Sequence, residues 1–211
     1  ACLGALFAGC SFTPINPKYN KKRLSDIIEK AGVNLLIGDE KDIQKLENSG
    51  ITTGKTCIFP EEIPKVESKE THSDLKSYHA AKSSYNLIAR SPDALAYIYF
   101  TSGSTGIPKG VCVSHGNLGS FLDNMSSIYT LEPGFRASQT FDLSFDPAIS
   151  DMFFTWLNRG TLCVLPDDEV LMPHEFIVRE KIQFWNSVPS IANFMYRTGN
   201  LNLGSFPDLK H

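Results

Sequence analysis

The sequence predicts an α/β fold in which mostly parallel sheets are flanked by helices. Segments with helical periodicity alternate with short apolar runs along the chain, and this alternation is typical of strands joined by crossover helices. The chain has 211 residues, of which 42% are hydrophobic and 20% are charged. That length and composition allow a core of ordinary domain size and are not those of a disordered segment.

The first part of the chain alternates helix and strand signals. The most regular of them is the helix over 21–31, whose apolar residues recur at three- and four-residue spacing. An apolar run at 33–37, flanked by chain-breaking residues, indicates a buried parallel strand. The other elements predicted here are a helix that ends at Gly9, a strand over 11–15, a helix over 41–47 and a strand over 56–59.

Residues 60–92 differ from the rest of the chain in composition. They are polar, mixed in charge and only weakly periodic. This pattern predicts a long surface loop or insertion, with a short helix around 74–81.

Regular patterning returns after this stretch. Residues 94–101 form an aromatic strand signal, and a Gly/Ser/Thr-rich loop separates it from a second strand at 110–113. Ser114 is a suitable N-cap for a helix over 115–128. The later elements are a strand and turn leading to 141–146, a helix over 147–157 with proline first, a strand over 161–165, a helix around 176–180, a strand over 182–185 and a helix over 190–197.

Charge and cysteine spacing argue against several classes of function. The net charge of −3 results from 20 Lys and Arg against 23 Asp and Glu, which gives no electrostatic reason to expect nucleic-acid binding. The five cysteines are scattered and the histidines lack ligand spacing, so we predict neither a disulfide framework nor a metal site. We expect a cytoplasmic protein with no membrane segment. One alternative remains, because residues 6–10 resemble the end of a lipoprotein signal in which Cys10 is acylated.

The loop over 101–110 carries the clearest chemical signal. Its glycines allow backbone N–H groups to converge, its hydroxyl side chains add neutral donors, and its lysine adds a cation, so it is suited to phosphate. A strand rather than a helix follows the lysine, which is not the arrangement of a Walker A loop. A hairpin with incidental hydroxyls is the alternative interpretation. The predicted phosphate-binding residues are Thr101, Ser102, Gly103, Ser104, Thr105, Gly106 and Lys109.

Residues 99–111, followed by 114–118, resemble the signature loop of the adenylate-forming superfamily. Residues 6–17 and 181–195 resemble flanking segments of the same superfamily, so the resemblance covers nearly the whole chain. It implies that residues 1–211 are part of one AMP-binding N-terminal domain, with the C-terminal domain absent and 60–92 as a variable loop or insertion. These 211 residues alone are therefore expected to be inactive.

Residues 140–151 resemble the amino-acid-activating members, such as adenylation domains of nonribosomal peptide synthetases and the D-alanine–carrier protein ligase. Two alignments fit, one starting at Phe141 and one at Phe145, and the second is preferred because Asp151 then matches an acidic position. In it, Asp146 would pair with the substrate ammonium, since a buried charge needs a counterion. Capping of the helix by Asp142 or Asp146 is the alternative. Phe145 would wall the pocket, and Pro147 and Ser150 would line it.

The resemblance implies ATP-dependent activation of a carboxylate, with Mg²⁺ bridging phosphates and a carrier-protein phosphopantetheine as the acceptor thiol. No residue of this chain is assigned a catalytic role. Trp185 and Asn186 resemble a region beneath the substrate pocket, although core packing is the ordinary role of a tryptophan. An acyl- or aryl-CoA ligase of the same superfamily and a non-catalytic AMP-binding module remain as alternatives.

Overall fold

The computed structural model describes residues 1–52, 54–60, 90–102 and 107–211. Most of the predicted insertion, including its short helix at 74–81, lies outside these ranges, as does the centre of the predicted phosphate loop. The chain divides into two compact units, Ala1–Gly116 and Asn117–His211. In the described ranges, every helix falls short of the length and apolarity that crossing a membrane requires.

The first unit contains three helices and four strands among its described residues. Helices α2 and α3 begin at the side-chain caps Asn20 and Asp39, which accept the backbone N–H groups of Arg23 and Asp42 at 2.9 and 2.8 Å. The elements are α1 (Cys2–Phe7), α2 (Lys21–Lys30), β1 (Leu35–Ile37), α3 (Glu40–Asn48), β2 (Thr56–Ile58), β3 (Leu95–Thr101) and β4 (Lys109–Ser114).

Strand β1 pairs in parallel with β2 beneath the two capped helices. Leu36 is buried together with residues of α2 and α3, whereas Leu35 and Ile37 are exposed. The prediction of a buried strand over 33–37 is therefore wrong for Asn34, Leu35 and Ile37, because only the face that carries Leu36 packs against the helices.

Strands β3 and β4 form an antiparallel pair, which the predicted strand–loop–strand arrangement requires. The strand expected over 11–15 is reduced to one parallel bridge between Phe12 and Tyr97. Pro14 limits this segment, because proline has no N–H group to donate to a ladder.

The second unit is built around a parallel pair. Strand β5 (Arg136–Gln139) pairs with β6 (Thr161–Val164), and helix α5 (Pro147–Leu157) connects them as a crossover. Helix α4 (His115–Ile128) precedes this pair, and α6 (His174–Arg179) and α7 (Pro189–Arg197) follow it. The strand expected over 182–185 is a single bridge between Phe184 and Ala137, because the amides of Gln183 and Phe184 both donate to one carbonyl.

Candidate active site

The predicted phosphate loop is closed at its base by the β3–β4 pair. Thr101 lies opposite Lys109 at the end of the ladder, so residues 102–108 form the connection between the two strands. Thr101, Ser102 and Lys109 are exposed at this end. The other four predicted phosphate-binding residues, Gly103–Gly106, lie outside the described residues.

A lysine from a distant helix holds one end of this loop. Lys30, in the last turn of α2, donates from Nζ to the carbonyl oxygen of Pro108 at 3.0 Å. Pro108 is buried and directly precedes Lys109. The loop therefore enters β4 from a position fixed by both proline packing and a charge-assisted hydrogen bond. The sequence offers no signal for this contact, because the two residues are far apart in the chain and lysine is common on helix surfaces.

The segment before α5 presents two carboxylates in different environments. Asp142 accepts hydrogen bonds from the backbone N–H and the hydroxyl of Ser144, so it closes its own turn. Asp146 occupies the N-cap position of α5, but its side chain makes no capping hydrogen bond. Asp146 therefore holds the position that the capping alternative gives it, but without the side-chain hydrogen bond of a cap. Both Asp146 and Phe145 are exposed, with Pro147 opening the helix.

A cavity of about 240 Å³ lies in the second unit. Ser150 is the one predicted substrate residue that lines it, and its hydroxyl donates to the Pro147 carbonyl at 2.6 Å. Trp185 lines it as well, with its indole N–H donating to Ser187 Oγ at 2.9 Å. The full lining among the described residues is Met125, Tyr129, Ser150, Phe184, Trp185, Asn186 and His211.

A buried carboxyl group lies beside this cavity. Asp151 is 2% exposed, and its Oδ1 accepts a hydrogen bond of 2.9 Å from Nδ2 of Asn186. Its Oδ2 is buried without a hydrogen-bond partner among the described residues. Burial raises the pKa of Asp151 to about 7, and the Asn186 side chain and the nearby Thr140 amide oppose this only in part.

Sequence reasoning used Asp151 only to choose an alignment and missed its burial. The available signal was an ionisable residue within the apolar run of a helix, where a carboxyl group needs a partner. The partner, Asn186, comes from a different part of the chain and could not be paired with it by spacing.

The hydroxyl-rich loop joins an antiparallel pair of strands, and the second unit has a parallel pair and an aromatic cavity. These features agree with the class of protein that the signature loop predicted, the adenylate-forming proteins. The chain belongs to the AMP-binding enzyme family, whose model matches residues 1–211. The predicted family and the predicted α/β fold are therefore confirmed.

Relatives of this chain include a carrier-protein ligase and nonribosomal peptide synthetases. It is 29% identical over 200 residues to an L-proline–[L-prolyl-carrier protein] ligase of Pseudomonas fluorescens. The aligned region covers 93% of this chain and 39% of that protein. It is 28% identical over 198 residues to the nonribosomal peptide synthetase SIDC of Beauveria bassiana. That aligned region covers 92% of this chain and 4% of the synthetase. The chain thus spans well under half of the curated relatives it matches.

A solved structure has the same fold. The adenylation domain AlmE of Vibrio cholerae, in complex with glycyl-adenosine-5'-phosphate, superposes with a TM-score of 0.79 at 21% identity. The match covers 99% of this chain and 41% of that one.

Proposed function

We propose that this chain is part of an enzyme that activates the carboxylate of an amino acid with ATP and transfers the acyl group to a carrier-protein thiol. The substrate carboxylate attacks the α-phosphate of ATP, and pyrophosphate leaves. The thiol sulfur then bonds to the acyl carbonyl carbon, and AMP leaves. The observation that carries the proposal is the hydroxyl- and glycine-rich loop whose ends are paired through Thr101 and Lys109.

In this proposal the loop over 101–109 holds the β- and γ-phosphates of ATP. Lys109 is exposed at the base of the loop, and a lysine ammonium is a common donor to phosphate oxygens. Lys30 supports this role indirectly, since its bond to the Pro108 carbonyl fixes the residue next to Lys109. Donors that are already in position stabilise the charge that develops on the leaving pyrophosphate.

The amino-acid substrate is assigned from Asp146 and its neighbours. Because Asp146 makes no capping bond to α5, its carboxylate remains available for the ammonium group of an amino acid. Phe145, exposed beside it, would wall the reacting carboxylate, and Pro147 would contact the substrate. Ser150 lines the cavity that would hold the side chain. The carrier-protein ligase and the peptide synthetase among the relatives support this class of substrate.

The proposal includes Mg²⁺ and a phosphopantetheine thiol. Among residues 1–52, 54–60, 90–102 and 107–211, no three His, Cys, Asp or Glu side chains cluster as a metal site. In the proposal the ion takes most of its oxygen ligands from phosphates and water, as Mg²⁺ commonly does at nucleotides. Magnesium would neutralise phosphate charge, while the loop residues of this chain orient the phosphates.

The proposed phosphate contact is tested by ATP–pyrophosphate exchange in the full-length protein that contains this chain. Lys109→Ala should lower kcat/KM for ATP by about tenfold to a hundredfold, since a charge-assisted hydrogen bond contributes about 1.5–3 kcal/mol. Lys41→Ala, which removes an exposed lysine on α3, is the matched control and should have no effect. Full exchange by the Lys109 variant would refute the assignment.

The substrate class is tested with the same exchange assay on amino acids, fatty acids and aryl acids. Asp146→Asn should lower kcat/KM for the amino acid by up to about fivefold, because the substrate ammonium would lose its counterion and an ion pair at an exposed carboxylate contributes up to about 1 kcal/mol. Asp142→Asn tests the other alignment and should leave the exchange rate close to that of the wild type. Exchange with fatty or aryl acids that is indifferent to Asp146 would instead establish the acyl- or aryl-CoA ligase alternative.

A further inference from the structure

The Asn186 side chain is held in one orientation beside the cavity. Its backbone N–H donates to Ser138 Oγ at 3.3 Å, and its carbonyl oxygen accepts a hydrogen bond from the Thr140 hydroxyl. Its Nδ2 donates to Asp151 at 2.9 Å. Among the described residues, only Oδ1 of its polar atoms is left without a hydrogen bond.

Asp151 determines which end of the amide faces it. An ionised carboxylate only accepts hydrogen bonds, so it meets Nδ2 and would repel Oδ1. A neutral carboxyl group with its proton on the unpartnered Oδ2 keeps Oδ1 as an acceptor for the same Nδ2. The orientation of Asn186 therefore does not depend on the protonation state of Asp151.

Two other polar side chains of the cavity wall, those of Ser150 and Trp185, already donate their protons to neighbouring groups, whereas the Tyr129 hydroxyl and the His211 ring also line the cavity. The Ser150 hydroxyl donates to the Pro147 carbonyl, and the Trp185 indole N–H donates to Ser187. Ser150 Oγ thus keeps lone pairs for an additional donor, as does Asn186 Oδ1. Aromatic rings of Tyr129 and Phe184 form an edge-to-face pair on the wall, with centroids 5.1 Å apart.

We propose that Asp151 is a positioning residue that holds Asn186 with its side-chain oxygen toward the cavity, and that this cavity selects amino acids whose side chains donate a hydrogen bond. The inference rests on the proposed function, because it takes the cavity as the site of the substrate side chain. A substrate of equal shape without the donor would leave the amide oxygen desolvated and unpaired, which is costly.

The test uses ATP–pyrophosphate exchange by the full-length protein with shape-matched amino-acid pairs: threonine with valine, tyrosine with phenylalanine, and glutamine with methionine. In any pair that is activated, kcat/KM should favour the donor-bearing member by about tenfold or more. Asp151→Leu releases the Asn186 amide, so the ratio should fall to about one, with the loss on the donor-bearing member. Asn186→Leu should lower the ratio in the same way.

Two further variants separate positioning from general damage to the fold. Asp151→Asn keeps a carbonyl oxygen for Nδ2 of Asn186 and should retain the wild-type ratio. Thr155→Val removes a different buried hydrogen bond from the same helix, that of the Thr155 hydroxyl to the Asp151 carbonyl, and should also retain it. If Asp151→Leu does not fold, loss of the ratio in Asp151→Asn would overturn the positioning role.

The possible outcomes distinguish failure of the inference about the cavity from failure of the proposed function. Exchange with amino acids but no preference for donor-bearing members, or a preference that survives in Asp151→Leu, overturns the inference and leaves the proposed function standing. Absence of exchange with every acid overturns the proposed function, and with it the role of the cavity.

Discussion

Replacing Asp151 by asparagine is expected to stabilise the protein, and more so as the pH rises. Asp151 is 2% exposed, and burial raises its pKa from 3.8 to about 7. Asparagine has nearly the same shape and can still accept the hydrogen bond from Asn186. The substitution therefore removes a titrating group from the interior without creating a cavity, and its Nδ2 takes the place of the unpartnered Oδ2, where it is an unpaired donor as the carboxyl proton is in neutral Asp151.

The size of the effect follows from the difference in proton binding between the folded and unfolded states. Folded Asp151 holds its proton more tightly, so the free energy of unfolding falls as the pH rises from 3.8 to about 7. Each pH unit in this window removes about 1.4 kcal/mol, which gives about 3 kcal/mol between pH 5 and 8. Asp151→Asn lacks this loss and should gain about 3 kcal/mol relative to the wild type over that interval.

The assay is urea-induced unfolding of wild type and Asp151→Asn at pH 5, 6, 7 and 8, with the difference in free energy of unfolding taken at each pH. Asp123→Asn, which removes an exposed carboxylate from α4, is the matched control. A constant difference for Asp151→Asn, or one that shrinks toward alkaline pH, would refute the reasoning, because it would mean that Asp151 ionises as readily in the folded state as in the unfolded one.

Two further predictions concern contacts that support the fold and the loop. Lys30→Met, which removes the bond to the Pro108 carbonyl, should raise KM for ATP severalfold with an unchanged melting temperature, while Lys30→Arg should behave as the wild type; an unaltered KM in Lys30→Met would contradict the tether. Gly160→Ala should cost about 1–3 kcal/mol in urea unfolding, because its Cβ would lie 2.6 Å from the Phe135 ring. Gly119→Ala, with nothing within 4 Å on α4, is its control and should not destabilise; equal stability of the two variants would contradict the predicted clash.

Helices were the elements best predicted from the sequence, because their signal is local. The periodicity over 21–31 corresponds to Lys21–Lys30, and the proline-initiated helix over 147–157 has the same bounds in the structure. The two failed strands, at 11–15 and 182–185, depended on partners elsewhere in the chain. A short apolar run has the same composition whether it forms a ladder or a single bridge, so pairing could not be read from it.

The same distinction separates the two parts of the candidate site. The phosphate loop is contiguous, so its hydroxyls, glycines and Lys109 could be identified from their order in the sequence. The contact that fixes the end of this loop joins Lys30 to Pro108, which are far apart in the chain. The contact that fixes the cavity wall likewise joins Asp151 to Asn186. Such pairs become visible only when burial and direction are known, since each member alone is an ordinary surface or helix residue.

The two expectations for Asp151 describe opposite consequences of one carboxyl group. As an ionisable group in an apolar surrounding, it lowers stability progressively as the pH rises from 3.8 to about 7, and asparagine at this position would relieve that cost. As an acceptor that faces Nδ2, it fixes the amide of Asn186, and asparagine would preserve this role because it also presents an oxygen. Leucine would relieve the electrostatic cost and lose the orientation. A stability relative to the wild type that rises with pH in both variants, with donor selectivity kept only in the asparagine variant, would therefore separate the cost of the buried charge from its use in recognition.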